Sequence, residues 1–305
     1  MDLQILTSEF LASKAAGNRS PATIYNYQWN LESFLSWAAE EGHAGNDLVG
    51  SIGAETIEEY MLYLNNCDYR PHTIAQRYRS LRALYRWIER RHGKIDAGNP
   101  FDMLTEPSTP DLLPKAATYA QLQVLLHSIT VSQYGAPWTC PRDRLIIKLF
   151  FFTGLRVGEM ASLMIEDVDL ERRRLRVTRH KTKGVDLVPF SRSLHADLSA
   201  WLAGQRPACE HGGLWPASTG DRHIAPEPLS TSGLKQMCRY RSERAGLPTI
   251  MPHALRHGCA VHIIERGGDI SLVKRILGHK DIRTSQIYLR FDTDQVTGLY
   301  DRIFE

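Results

Sequence analysis

The chain has 305 residues, 43% of them hydrophobic and 23% charged, with a formal net charge of +3; this length suggests two domains, and the apolar content excludes a disordered chain. No apolar run in the sequence reaches the roughly 18–20 residues that span a bilayer, and the five cysteines, odd in number and scattered, exclude a disulfide framework. The N-terminus lacks the basic-then-apolar pattern of a secretion signal, so a reduced, cytoplasmic location with no membrane association is expected.

Charge is unevenly placed. Up to residue 105 there are 10 Lys/Arg against 13 Asp/Glu, and beyond it 27 against 21. A nucleic-acid contact in the acidic first part must therefore come from a local stripe. Ser20-Pro21 carries a helix-start pattern, and Tyr27, Leu31, Phe34, Leu35 and Ala38 follow at helical spacing. A second helix is predicted over residues 54–64, with Ile57, Tyr60, Met61 and Leu64 on one face. The third, over about residues 73–91, has two faces. Leu81, Leu84, Tyr85 and Ile88 form the apolar one. Arg79, Arg82, Arg86 and Arg90 recur at i, i+3, i+7 and i+11 as a separate basic stripe. Such a stripe suits DNA phosphates or a major groove, and the plain alternative is a solvated charged face. Pro100, Pro107, Pro110 and Pro114 then punctuate polar sequence of linker character. The expected organisation is a helical domain over 1–103, a linker over 104–117 and a second domain over 118–305.

The second domain opens on a capping-box pattern, Thr118 to Gln121, ahead of Leu122, Leu125, Leu126 and Ile129. Residues 142–152 read as a buried helix that Thr153-Gly154 interrupts, and Arg156 begins the next, with Glu159 three residues on. Residues 173–190 change period and predict two strands, around Leu175–Thr178 and Val185–Pro189, with Lys181 and Lys183 in the turn between. A helix over 194–205 follows, then a Gly-, Pro- and His-rich loop over 206–230 and a basic helix near 232–245. Helical segments are predicted over 253–267, 271–277 and about 284–288, with a tail helix carrying Val296, Leu299, Tyr300, Ile303 and Phe304. The fold expected is mainly α with a small β-hairpin.

Three segments carry the chemistry: residues 153–159, the hairpin, and 253–288. A DNA phosphodiester is an anion, and attack on it builds further negative charge on the phosphoryl oxygens. The reaction needs fixed cations and donors at those oxygens, a nucleophile, and an acid for the leaving oxygen. Arg156 and Arg256 suit the first task, because a guanidinium is always charged and presents a planar fork. His279 offers a third donor, Lys181 an acid and Tyr288 a nucleophile. A tyrosine of pKa near 10 needs neighbouring cations, and His253 is placed to accept its proton. In this scheme neither metal nor ATP is required, and no cofactor is expected.

The set Arg156-Val-Gly-Glu159, Lys181 ahead of Val188-Pro189, His253-x-x-Arg256, Leu277-Gly278-His279 and Tyr288 nine residues later resembles the tyrosine recombinases, or phage integrases. The layout is similar to that of the compact Xer recombinases. The resemblance implies a two-domain DNA clamp, a helical core-binding domain plus the tyrosine-recombinase catalytic domain. It implies double-stranded DNA as partner, a homodimer on each site and a homotetramer in synapsis. A second recombinase or accessory proteins are among the partners it allows. It also implies that strands are exchanged through a 3′-phosphotyrosyl link and a Holliday junction. Glu159 and Asp167 match positions that support the site from behind, and the tail helix matches a segment that packs on a neighbouring protomer. The sequence departs from the pattern at Gly258-Cys259, at Leu289-Arg290 and in the turn Lys181-Thr-Lys183-Gly. Two lysines in that turn compete for the acid's role, and alignment on Val188-Pro189 favours Lys181.

The same residues bear on other chemistries. His253 and His257 stand four apart, a zinc-binding spacing on a helix, but no Glu of a His-Glu-x-x-His motif is present. A type IB topoisomerase shares the same active-site logic without exchanging partners. A DNA-binding accessory protein without catalysis would need none of the set, whereas every member is present. The DNA target, the biological task and any need for a partner recombinase are not legible in these residues.

Overall fold

The computed structural model describes residues 2–43, 48–95, 97–110, 115–132, 136–179, 184–220 and 223–278. The chain divides into two compact units, Met1–Leu112 and Leu113–Glu305.

Among its described residues the first unit contains helices and no strand. Its elements are α1 (Leu3–Ala16), α2 (Pro21–Glu40), the short α3 (Leu48–Ser51), α4 (Ala54–Asn66) and α5 (Pro71–His92). Ser20 caps α2 by accepting from the Thr23 N–H, with Pro21 at the first helical position, where its missing N–H costs nothing. The core is formed by one stripe from each long helix: Leu3, Leu6 and Phe10; Leu31, Phe34 and Trp37; Ile57, Tyr60 and Leu64; and Leu81, Leu84, Tyr85 and Ile88. α1 goes beyond the sequence reading, which begins its first helix at Ser20. Leu3, Leu6 and Phe10 mark its inward stripe and Asp2 caps it. Leu104 also packs against this core.

The second unit is built around α7 (Thr139–Thr153), of which Leu145, Ile146, Ile147, Leu149, Phe150 and Phe151 are buried. α6 (Tyr119–Ser128) precedes it and starts on the reciprocal capping box of Thr118 and Gln121. α8 (Val157–Ala161) follows α7 after a sharp turn. A three-stranded antiparallel sheet comes next, β1 (Val168–Asp169), β2 (Arg174–Arg179) and β3 (Gly184–Pro189) in that spatial order. Its register pairs Leu175 with Val188, Val177 with Asp186 and Arg179 with Gly184. α9 (Arg192–Ala200) leads to a second hairpin, β4 (Pro216–Gly220) and β5 (His223–Pro228). The sequence reading treats residues 206–230 as loop. The strands escape it because their register is irregular and their residues, rich in Pro, Gly and Ser, lack a clean in-out alternation. α10 (Thr231–Arg244), α11 (Pro252–Glu265) and α12 (Ile270–Leu277) complete the described part. Buried Arg142, Asp143 and Arg241 form an ion-paired cluster joining α7 to α10.

Candidate active site

The turn between α7 and α8 starts the site. Gly154 takes a left-handed backbone, φ 61°, which an L side chain adopts only with strain. A Cβ there would also stand 2.2 Å from a Leu277 methyl. The turn delivers Arg156 to the N-terminus of α8. Glu159, in the first turn of α8, reaches back. Its carboxylate accepts from the Arg156 backbone N–H at 2.8 Å and from Arg156 Nη1 at 2.7 Å. Arg156 keeps about a third of its side chain exposed while Glu159 is buried.

Glu159 has a second guanidinium partner, Arg179 on β2, whose Nη1 donates to Oε2 at 2.6 Å. Burial pushes the Glu159 carboxyl up. The Arg156 backbone N–H and the two guanidiniums outweigh it and hold the group below the usual carboxylate range. Arg179 also donates to Asp186 on β3 at 2.9 Å.

α11 contributes His253, Arg256 and His257. Arg256 is 2% exposed. Its Nη1 donates to the Gly154 carbonyl and its Nη2 to the Leu277 carbonyl at 2.7 Å. The segments that carry Arg156, Arg256 and Leu277-Gly278 are therefore joined by one side chain. His253 is exposed, and its ring lies 5.2 Å from that of His257. Burial, then His253 and Arg256, push His257 down to about 4. His253 and His257 stand four apart on one helix, a metal-binding spacing, yet no group of three or more His, Cys, Asp or Glu able to hold a metal occurs among the described residues.

α12 is capped by Asp269 and ends at Leu277, with Gly278 in the left-handed region. Arg256 places a cation on a carbonyl at its C-terminus, where the helix dipole is negative. Lys181, His279 and Tyr288 lie outside the described residues, as do Lys183 and the tail helix. Asp167 accepts from the Met164 N–H at 2.9 Å and from Arg176 Nε at 3.1 Å, tying the turn before β1 to β2. Its partners are not those of Glu159.

In the first unit Arg79, Arg82, Arg86 and Arg90 share one face of α5. With Lys14 and Lys94 they line a depression of about 650 Å³. Glu106 lies on the same face, accepting from Arg79 at 2.5 Å and from Arg82 at 2.8 Å. Hydrogen bonding from Arg79 holds the Glu106 carboxyl below the usual range. Sequence reasoning missed both Glu106 and Arg179. Arg179 left a signal: it continues the inward series Leu175, Val177 on β2, where a charge demands a partner.

The phage integrase family profile matches residues 121–295, and that of the family's N-terminal SAM-like domain matches residues 9–92. The tyrosine recombinase XerA of Thermococcus kodakarensis is 29% identical, over 91% of this chain and 88% of its own. The tyrosine recombinase XerC of Mycobacterium sp. (strain JLS) is 30% identical, over 93% of each chain. Among solved structures, the XerH site-specific recombinase bound to a palindromic difH substrate in a post-cleavage complex has the same fold. Its TM-score is 0.75 at 23% identity, covering 96% of this chain and 83% of that one. Matched along nine-tenths of its length by site-specific recombinases, the chain belongs to the phage integrase family, the tyrosine recombinases.

Proposed function

We propose that the chain breaks and rejoins double-stranded DNA at a specific site with Tyr288 as the nucleophile. The Tyr288 oxygen attacks the phosphorus, and the bond to the 5′ oxygen breaks. Lys181 gives the leaving oxygen its proton and His253 takes the one from the phenol. A 3′-phosphotyrosyl link and a free 5′ hydroxyl result. Attack by a 5′ hydroxyl of the partner strand reverses the step, closes the new junction and frees the tyrosine. The phosphotyrosyl bond preserves the energy of the bond it replaces, so the cycle needs no ATP. Arg156, Arg256 and His279 stabilise the charge that develops on the non-bridging oxygens.

The observation that carries this reading is the position of Arg256. Its hydrogen bonds to the Gly154 and Leu277 carbonyls draw together segments 153–159, 253–256 and 277–278. The first two carry Arg156, His253 and Arg256, and the third directly precedes His279 in the sequence. In the first unit, the α5 stripe supplies phosphate contacts, which makes it the core-binding domain and the second unit the catalytic one. Two copies occupy a site and four assemble for exchange, in the cytoplasm, with a second recombinase or accessory proteins as further partners.

The test is a plasmid carrying two copies of a site that the protein itself selects from genomic fragments. Deletion or inversion between the copies, in EDTA and without ATP, supports recombination. Relaxation of supercoils without recombinant product supports a topoisomerase instead. Specific binding with neither product supports an accessory DNA-binding protein.

A further inference from the structure

We infer that Arg179 is a positioning residue for strand cleavage: one guanidinium fastens the carboxylate that holds Arg156, the hairpin that leads to Lys181, and the end of α12 that leads to His279. This rests on the roles given above to those three residues. Arg179 takes the third inward position of β2 after Leu175 and Val177. A buried charge there is tolerated only when paired and hydrogen-bonded. Among the described residues its bonds run in three directions. Nη1 donates to Glu159 Oε2 at 2.6 Å, Nε to Asp186 Oδ2 at 2.9 Å, and Nη2 reaches the Ile276 carbonyl at 3.5 Å. The guanidinium lies against Gly278, where a Cβ would stand 2.8 Å from its central carbon. Arg179 and Arg256 thereby hold the consecutive carbonyls of Ile276 and Leu277, one residue short of Gly278.

Charges alternate along the series Arg156, Glu159, Arg179, Asp186. Glu159 is 3% exposed. Burial works against the Glu159 carboxylate, and without Arg179 one of the two guanidiniums that offset it is lost, which raises the carboxyl's pKa and weakens its hold on Arg156. Arg172, Arg174 and Arg275 line the depression beside Arg179 on the hairpin and α12, yet none of them donates to Glu159. Lysine cannot replace Arg179, because a single ammonium is a point charge that cannot reach three acceptors at separate angles.

The experiment measures cleavage of a nicked duplex carrying the self-selected site, by wild type, Arg179→Gln and Arg179→Lys, across pH 5–8. Melting curves and DNA affinity are recorded beside it. Arg179→Gln should bind DNA within about twofold of wild type and cleave at least about tenfold more slowly at pH 8. Its rate should also fall on acidification with a midpoint at least about one pH unit above that of wild type, as Glu159 takes up a proton. Arg179→Lys, which keeps the charge, should move that midpoint back toward wild type and recover part of the rate. A wild-type rate and profile in Arg179→Gln overturns the inference. So does a loss that is the same factor at every pH and is not reduced in Arg179→Lys, which is the signature of a purely structural role. If Arg179→Gln does not fold, Arg179→Lys decides alone: at least about fivefold slower cleavage supports the inference, and a wild-type rate overturns it. A wild type that binds but never cleaves overturns the functional reading and this inference together, which separates the two failures.

Discussion

Arg256 Nη2 donates to the Leu277 carbonyl at 2.7 Å across 21 residues of sequence. The bond seats the end of α12 on α11, and the Gly154 carbonyl takes Nη1 of the same guanidinium. Arg256→Ala leaves two carbonyls without that donor, and each unsatisfied buried group costs about 1–3 kcal/mol. A loss of at least about 2 kcal/mol in urea unfolding is expected, together with loss of cleavage. Arg256→Lys should recover only part of either. An unchanged unfolding midpoint in Arg256→Ala would show that the bonds carry no weight.

Gly154→Ala should be costly although it adds one methyl. The left-handed backbone costs about 1–2 kcal/mol for an L residue, and the added Cβ meets Leu277 at 2.2 Å and the Cys259 sulfur at 3.3 Å. Overpacking contributes about 1–3 kcal/mol more. A fall of about 2–5 kcal/mol in denaturant unfolding, with slowed cleavage, is the expected outcome. Stability within about 0.5 kcal/mol of wild type would mean that the turn relaxes freely.

Most helices of both units were legible because their apolar residues recur at helical spacing, as Leu81, Leu84, Tyr85 and Ile88 do on α5, whereas α1 was not read. Their starts were legible where a cap was written in the sequence, as at Ser20-Pro21 and Thr118 to Gln121. β4 and β5 were not, since irregular pairing leaves no alternation to read. The spacing of Arg156 and Glu159 pointed to one short helix, and the structure adds that they bond each other. What spacing cannot reveal is a partner far along the chain. Arg179 stands 20 residues from Glu159 and Arg79 stands 27 from Glu106. These bonds depend on how elements pack: the inward position of Arg179 signalled the need for a partner but not which one, and nothing in the spacing pointed to Glu106.

His257 should make stability depend on pH. Its folded pKa is depressed to about 4, against 6.5 for a free histidine. Between these values the unfolded chain binds a proton that the folded one does not. Its contribution to stability is therefore complete above about pH 6.5, falls as pH drops and levels below about pH 4. Urea unfolding from pH 4 to 7 should show a shallower slope in His257→Gln than in wild type. Equal slopes would place the titration elsewhere.

Glu106 should weaken DNA binding by occupying the α5 stripe. Glu106→Gln removes the carboxylate from Arg79 and Arg82 and should tighten binding at least about threefold at low salt, with a steeper dependence on salt. Arg86→Ala should do the reverse, reducing the salt slope by about one. Slopes unchanged in both variants would assign the stripe to solvent.

The central claim is that Tyr288 joins the DNA covalently. Wild type and Tyr288→Phe are incubated in EDTA with a nicked duplex carrying the self-selected site, and denatured in SDS. The account predicts a protein–DNA adduct with wild type alone, with Tyr288→Phe binding the duplex within about twofold of wild type because the substitution removes a single hydroxyl. An adduct of equal yield from Tyr288→Phe would contradict it.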